Sequence, residues 1–286
     1  CTFTVTFSPL DGAGQVDAYF DRVATLGQSS LAITDHGSMS SHWAGWNAGR
    51  RTGVKFIAGI EAYVAPGSLL DREPIFWGTS EQRKCDVGSR GKSVHQTMLA
   101  LNPTGLRNLY RMQYVAATKG FYGAPRFDLE LMSQHSEGIL VTSGCAGSAI
   151  SIKIRLGQWD EAVRYASQMK DIYGENFFIE VMDHGISESD LNDLWLNAQL
   201  VKLAKLLGVP VVATNDSHYC GADDASTHDA FLAMQTHSTL DDPKRFRFNG
   251  SGYHLKSATE MEQKLRFVLR HAPDALKNTL LIAERV

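Results

Sequence analysis

Leu31-Ala-Ile-Thr34, followed at once by Asp35-His36-Gly37, decides the fold. A short run of strand character ends in an acid, an imidazole and a glycine, so the chain crosses a core and surfaces at a polar turn. Val54-Lys-Phe-Ile-Ala-Gly-Ile60 repeats the arrangement with Glu61 just past the apolar run, and Gly138-Ile-Leu-Val-Thr-Ser143 repeats it with Gly144-Cys145. Pro210-Val-Val-Ala-Thr214 leads into Asp216 and His218. Upstream, Cys1-Thr-Phe-Thr-Val-Thr-Phe7 alternates with the period of a strand until Ser8-Pro-Leu-Asp-Gly12 breaks it. His95 to Leu101 and Phe177 to Met182 complete a set of seven predicted strands.

Helical spacing fills the intervals. It runs from Val16 to Leu26 before Gly27, from Asn102-Pro-Thr-Gly105 through Tyr114, and over Ser148 to Arg155, Trp159 to Ile172 and Leu191 to Leu207. Strands alternating with helices predict an α/β fold with a parallel sheet, and a length of 286 residues favours a closed barrel, which commonly takes ~250. Residues 1–286 are expected to form a single domain. The Gly-, Ser- and charge-rich stretch 67–92 is expected as a surface excursion, being longer than an ordinary connection, and 222–286 as a mostly helical part with a polar interruption from Asp241 to Tyr253.

Composition limits the function classes. With 28 Lys+Arg against 31 Asp+Glu, a dedicated nucleic-acid clamp is disfavoured, because non-specific affinity for DNA comes from cations neutralising phosphates. No apolar run approaches the ~20 residues that cross a bilayer, so no membrane partner is expected. Cys1, Cys85, Cys145 and Cys220 show no CxxC spacing and no secretory leader precedes them, which predicts a reduced, cytoplasmic protein.

Ligand-type side chains fall repeatedly where predicted strands end: Asp35-His36, Glu61, Cys145, Asp216 and His218, with His95 inside its strand and Asp11 just after the first. The C-terminal rim of the strands is where α/β barrels carry their sites. Imidazole, thiolate and carboxylate together form the donor set of zinc or a similar metal. Taken singly, each residue has a plainer reading: a turn histidine, a core histidine, a small buried cysteine. Glu61 resists one, since an unpaired buried carboxylate is costly. Asp216 and His218, two apart on extended chain, share a face. His184, in Asp183-His-Gly185, stands out among the remaining histidines.

The strings LAITDHG (31–37), GIEAYVAPGS (59–68), NPTGLRNLYRM (102–112), EGILVTSGCAG (137–147), VVATNDSHY (211–219), YHLKSATEM (253–261) and LLIAERV (280–286) carry a resemblance over essentially the whole chain. It resembles the N-terminal polymerase and histidinol phosphatase (PHP) domain of bacterial DNA polymerase III alpha subunits. The resemblance implies a distorted seven-stranded (β/α) barrel holding up to three metal ions, which in members with a complete site support phosphoester hydrolysis, including 3′–5′ exonuclease action. Carried over by position, it implies Asp11, His36 and His218 for one ion and Glu61, His95 and Cys145 for a second, with Glu61 bridging. A third would take Glu61, Asp216 and both histidines of an HxH motif. His36, Glu61 and Asp216 are the implied catalytic residues. This sequence has Thr2 and Thr4 at the HxH positions, so seven of nine ligands remain. Hydroxyls are poor zinc ligands beside imidazole, and a hydrolytic cluster needs its ions at defined spacing. The expectation is a partly degenerate site with one or two ions, Zn or Mn, and weak or altered hydrolysis.

Three readings follow. The chain is a domain of a replicative polymerase, meeting a DNA 3′ end and replication proteins; or a free-standing enzyme acting on a small phosphoester; or a non-catalytic interaction module. It is not expected to polymerise DNA by itself, because no palm carboxylate motif follows LLIAERV. Trp43, Trp46 and Trp77 are candidate pocket walls. Arg72, Arg83, Lys92, Arg107, Arg245 and Arg247 are candidate phosphate contacts, each with solvated surface charge as its plainer reading.

Overall fold

The computed structural model describes residues 2–3, 12–83, 86, 90–187 and 192–286. In chain order the elements are β1 (Thr2–Phe3), α1 (Val16–Thr25), β2 (Ser30–Ile33), α2 (His42–Thr52), β3 (Lys55–Val64), β4 (Val94–Ala100), α3 (Pro103–Thr118) and β5 (Arg126–Phe127). Then come α4 (Leu129–Gln134), β6 (Ile139–Thr142), α5 (Ala149–Arg155), α6 (Trp159–Tyr173), β7 (Phe177–Val181), α7 (Asp193–Leu207) and β8 (Val211–Ala213). The last four helices are α8 (Ala225–Gln235), α9 (Ala258–Lys264), α10 (Arg266–Leu269) and α11 (Lys277–Arg285). Local chemistry sets the boundaries. Asn102 caps α3 by accepting from Gly105 N at 3.0 Å with Pro103 in the first turn, and Gly208 ends α7 in the left-handed conformation at φ 62°.

The sheet runs β1-β2-β3-β4-β6-β7-β8, with β5 pairing β3 to the side, and curls into a half-barrel. Both faces are buried, which is why the strands read as apolar runs rather than alternating ones. On the outer face Ile60, Met98, Val141, Ile179 and Val211 pack under the helices with Leu109, Met112, Ala162 and Leu200. The inner face follows the two-residue period in layers. At its base Ala32, Ile57, Leu99, Leu140, Phe178 and Val212, one residue from each of six strands, close on Ile282 and Ala283 of α11. Two residues nearer the rim the interior turns polar on five of these strands, with buried Thr34, Thr97, Thr142, Glu180 and Thr214, and β3 contributes Gly59. Two more reach His36, Glu61, His95 and Asp216.

Two features differ from the expected parallel closed barrel. The strand β4 is antiparallel to both β3 and β6. A parallel neighbour needs a crossover, usually a helix; among the described residues between Val64 and Val94 there is neither strand nor α-helix, so the chain returns alongside β3 in reverse. Pairing with β4 also carries β3 on to Val64, which places Glu61 inside the strand opposite Thr97. The sheet's ends are β1 and β8, and among the described residues no ladder joins them.

Candidate metal centre

Five chain segments bring the predicted ligands to one rim. Beyond β2, Gly37 N donates to Glu61 O at 2.9 Å and Glu61 N to Asp35 O at 3.1 Å, so His36 is held beside Glu61. Because β4 is reversed, His95 lies at its N-terminal end, which is the same rim as the C-terminal ends of the parallel strands. The loop after β6 turns at Gly144, whose φ of 76° suits glycine. It then passes so close to His95 that a Cβ on Gly147 would sit 3.2 Å from its Nδ1. Beyond β8, Asp216 adopts φ 43°, a left-handed conformation costly for a residue with a Cβ. His218 Nδ1 lies 2.8 Å from the Asp216 carbonyl.

Glu61 is the hub. Its Oε1 lies 2.8 Å from His95 Nδ1 and 3.3 Å from Cys145 Sγ, and its Oε2 3.5 Å from His36 Nδ1. Cys145 Sγ is 3.4 Å from His95 Nδ1, and the His36 ring centroid is 5.2 Å from that of His95 and 5.9 Å from that of His218. Asp216 Oδ1 lies 4.0 Å from His218 Nδ1. Asp11 and Thr4 lie outside the described residues, and of Thr2 the strand backbone alone is described. Every other ligand predicted from the sequence converges here.

The electrostatics are those of a cation site. Burial would raise the Glu61 carboxyl, but His36, His95 and His218 override it and hold it at about 2. Asp216 moves the opposite way, pushed up by burial and by the charges of Glu61 and Glu180. Burial, Glu61 and Asp216 push the Cys145 thiol up as well. The charge of Glu61 thus raises both Asp216 and Cys145, a relation that a bound cation would invert. The donor set fits a divalent metal: donor atoms of His36, Glu61 and His95 all lie within 4.8 Å of one another, with the sulfur of Cys145 against two of those residues.

The centre opens into a cavity of about 750 Å³. Of the predicted phosphate contacts, Lys92 and Arg247 line it, joined by Arg90. The others are engaged elsewhere: Arg72 donates to the carbonyls of Leu69 and Lys119, Arg83 sits 4.4 Å over Phe76, Arg107 bonds Thr104 and Arg245 grips Asp229 at 2.6 Å. The tryptophans expected as walls are not walls. Trp43 and Trp46 are exposed, and Trp77 packs under Lys153 at 4.0 Å. Trp195, Phe246 and Phe248 take that place. Phe248 stands edge-on to His218 with centroids 4.8 Å apart, and half-exposed Phe246 stands edge-on to Phe248.

His184 lies beneath the Asp216 loop. Its Nε2–H donates to Asn215 O at 2.8 Å and its ring stacks on Tyr253 at 4.0 Å, burial pushing its pKa down to about 3. Asn215 in turn bonds the carbonyls of Gly252 and His254 and accepts from buried Lys256 at 2.6 Å. Sequence reasoning singled out His184 and passed over Asn215 and Lys256.

Residues 4–184 match the family described as PHP domain. The chain belongs to the PHP domain family. DNA polymerase III subunit alpha of Saccharopolyspora erythraea is 45% identical over 98% of this PHP chain, and that of Mycobacterium tuberculosis 42% identical over 98%. The chain spans about a quarter of the length of these relatives, 24% and 23%. A solved structure from Bifidobacterium adolescentis, assigned as a metal-dependent phosphoesterase, is 14% identical with a TM-score of 0.45, covering 95% of this chain and 96% of the other. No helix among the described residues is long and apolar enough to cross a membrane.

Proposed function

We propose that this PHP domain is a metal-dependent phosphoesterase site acting on the 3′ end of a DNA strand, in a partly degenerate form. The observation that carries the reading is the gathering of three imidazoles, a second carboxylate and a thiol around Glu61, where the cavity is also lined by Arg90, Lys92 and Arg247. His36 and His218, with Asp11, would hold one ion; Glu61, His95 and Cys145 would hold a second, with Glu61 between them. Asp216 and Glu61 would remain from a third, left incomplete by Thr2 and Thr4. Zn²⁺ or Mn²⁺ bound here would supply Lewis-acid stabilisation of the phosphoryl oxygens and a water activated at neutral pH.

The chain's own residues supply recognition. Arg90, Lys92 and Arg247 would face phosphates flanking the scissile bond, Lys92 from a position 4.7 Å over the Tyr122 ring. Phe246 offers an exposed ring on which a base can stack. Polymerase relatives make replication proteins the natural partners. A second reading, a small phosphoester substrate, is favoured by the cavity volume, which is that of a small-molecule site.

Metal analysis by mass spectrometry, together with 3′-labelled single-stranded DNA and a nucleoside monophosphate as alternative substrates in Mn²⁺ and Zn²⁺, tests the proposal. One or two bound ions and slow release of 3′ nucleotides support it. Turnover of the monophosphate alone supports the second reading. No bound ion overturns both.

A further inference from the structure

Glu180 is the buried carboxylate that the proposed chemistry leaves unused. It lies in the polar layer of the half-barrel, directly below the ligands, at 1% exposure. Its oxygens accept from the hydroxyls of Thr142 and Thr214, and Thr97 hydrogen-bonds it too. These threonines stand on or just past three strands, each close to a ligand: Thr97 is two residues from His95, Thr142 three from Cys145, Thr214 two from Asp216. Ser143 Oγ accepts from the Glu180 amide at 2.9 Å, adding a further tie to the Cys145 loop. Among the described residues no lysine or arginine pairs with this carboxylate.

Two physical demands meet here. A buried carboxylate without a cation is costly, and three hydroxyl donors offset only part of that cost. Acids lie toward the rim above it: it raises Asp216 and is itself raised by Glu61. A purely structural hub could be built from neutral amides without that repulsion. The negative charge gains something only when positive charge sits at the rim above it.

We infer that Glu180 is a positioning residue of the metal centre, its carboxylate supplying outer negative charge to bound cations and its threonine bonds fixing the strand ends that carry His95, Cys145 and Asp216. The inference rests on the metal-site reading above. It predicts effects of opposite sign in the metal-free and metal-loaded protein, which a packing role does not.

The test is Glu180→Gln, which keeps an acceptor for the threonines and removes the charge. Zn²⁺ and Mn²⁺ affinities are measured by competition with a chromogenic chelator, and thermal midpoints with and without metal. Affinity is expected to fall on the order of 10-fold, the lower end of what loss of an outer partner costs a metal site, while the metal-free midpoint stays level or rises. A metal-free midpoint that drops, a variant that does not fold, or unchanged affinity each overturns the inference. Wild-type protein that binds no metal sinks the underlying reading instead, so the two failures are distinct.

Discussion

Glu61 and His95 meet at 2.8 Å although they are not register partners: Glu61 faces Thr97 across the β3–β4 ladder, and His95 faces Tyr63. The contact is the diagonal one, two residues off on the same face, which long side chains on paired strands can make. Antiparallel pairing creates it, because reversal of β4 brings its first residues to the rim where β3 passes. Glu61→Gln keeps the shape and removes the charge that three imidazoles face. Metal affinity is expected to fall by more than the ~10–100-fold that loss of an outer partner costs, with isothermal titration as the readout. Affinity within ~3-fold of wild type would remove Glu61 from the centre.

His184 makes metal-free stability depend on pH in a defined window. Its folded pKa is depressed to about 3 from an ordinary 6.5 by burial, with the charges of Lys256 and His218 adding to it. The unfolded chain therefore binds a proton that the folded chain refuses. Stability from this group is complete above pH ~6.5 and is lost as pH falls toward 3, at ~1.4 kcal/mol per unit and on the order of 5 kcal/mol in all. His184→Gln retains an N–H for the Asn215 carbonyl and removes the titration. Urea denaturation in a chelator from pH 7 to 4 is expected to show a shallower decline for the variant. Parallel slopes would refute the assignment.

Arg126 ties Leu69, Asp71 and Lys92 to the barrel. At 1% exposure its guanidinium reaches the carbonyls of Gly120 and Lys92, each at 3.1 Å, and of Leu69 at 3.0 Å, and also that of Asp71. Arg126→Met fills the volume and leaves these acceptors without a donor, at ~1–3 kcal/mol for each that water cannot reach. A loss of about 3 kcal/mol in unfolding free energy is expected. Since Lys92 is one of the anchored residues, tryptic cleavage after Lys92 should also accelerate. A change below ~1 kcal/mol would show that water replaces the guanidinium.

Some of this architecture was readable in the sequence and some was not, for physical reasons. Apolar runs followed by His36, Cys145 and Asp216 marked strand ends, and with Glu61, which lies inside its strand, they marked side chains that the structure brings together, because burial and ligand-type chemistry each leave a compositional mark. The direction of β4 left none: Val94 to Ala100 reads identically up or down, and only the missing crossover helix before it could have told. His95 accordingly looked like a mid-strand residue until reversal placed it at the rim. Glu180 had a signal that went unused, an ionisable residue inside Phe177-Phe-Ile-Glu-Val181. Phe246 and Arg247 reach the cavity through the long return from α8, a relation that no local pattern encodes.

The threonines at positions 2 and 4 yield the prediction that decides whether the centre is degenerate. If they replace a histidine pair that would complete a site with Glu61 and Asp216, then Thr2→His with Thr4→His should restore it. Asp216 now carries a carboxyl pushed up by burial and by Glu61, and a further cation beside it would relieve both acids. The double variant is expected to bind about one more ion than wild type and to hydrolyse a 3′-labelled strand faster by tenfold or more, since electrostatic stabilisation by one fixed group is worth ~2.7–4 kcal/mol. Either single variant should gain little, because one imidazole leaves the ion short of ligands. Metal content by mass spectrometry and initial rates in Mn²⁺ check this. An added ion without added rate would mean that the site can be refilled but that strand hydrolysis is not its chemistry. No added ion would mean that the first strand does not face Glu61 and Asp216, and that these two acids serve the remaining ions alone.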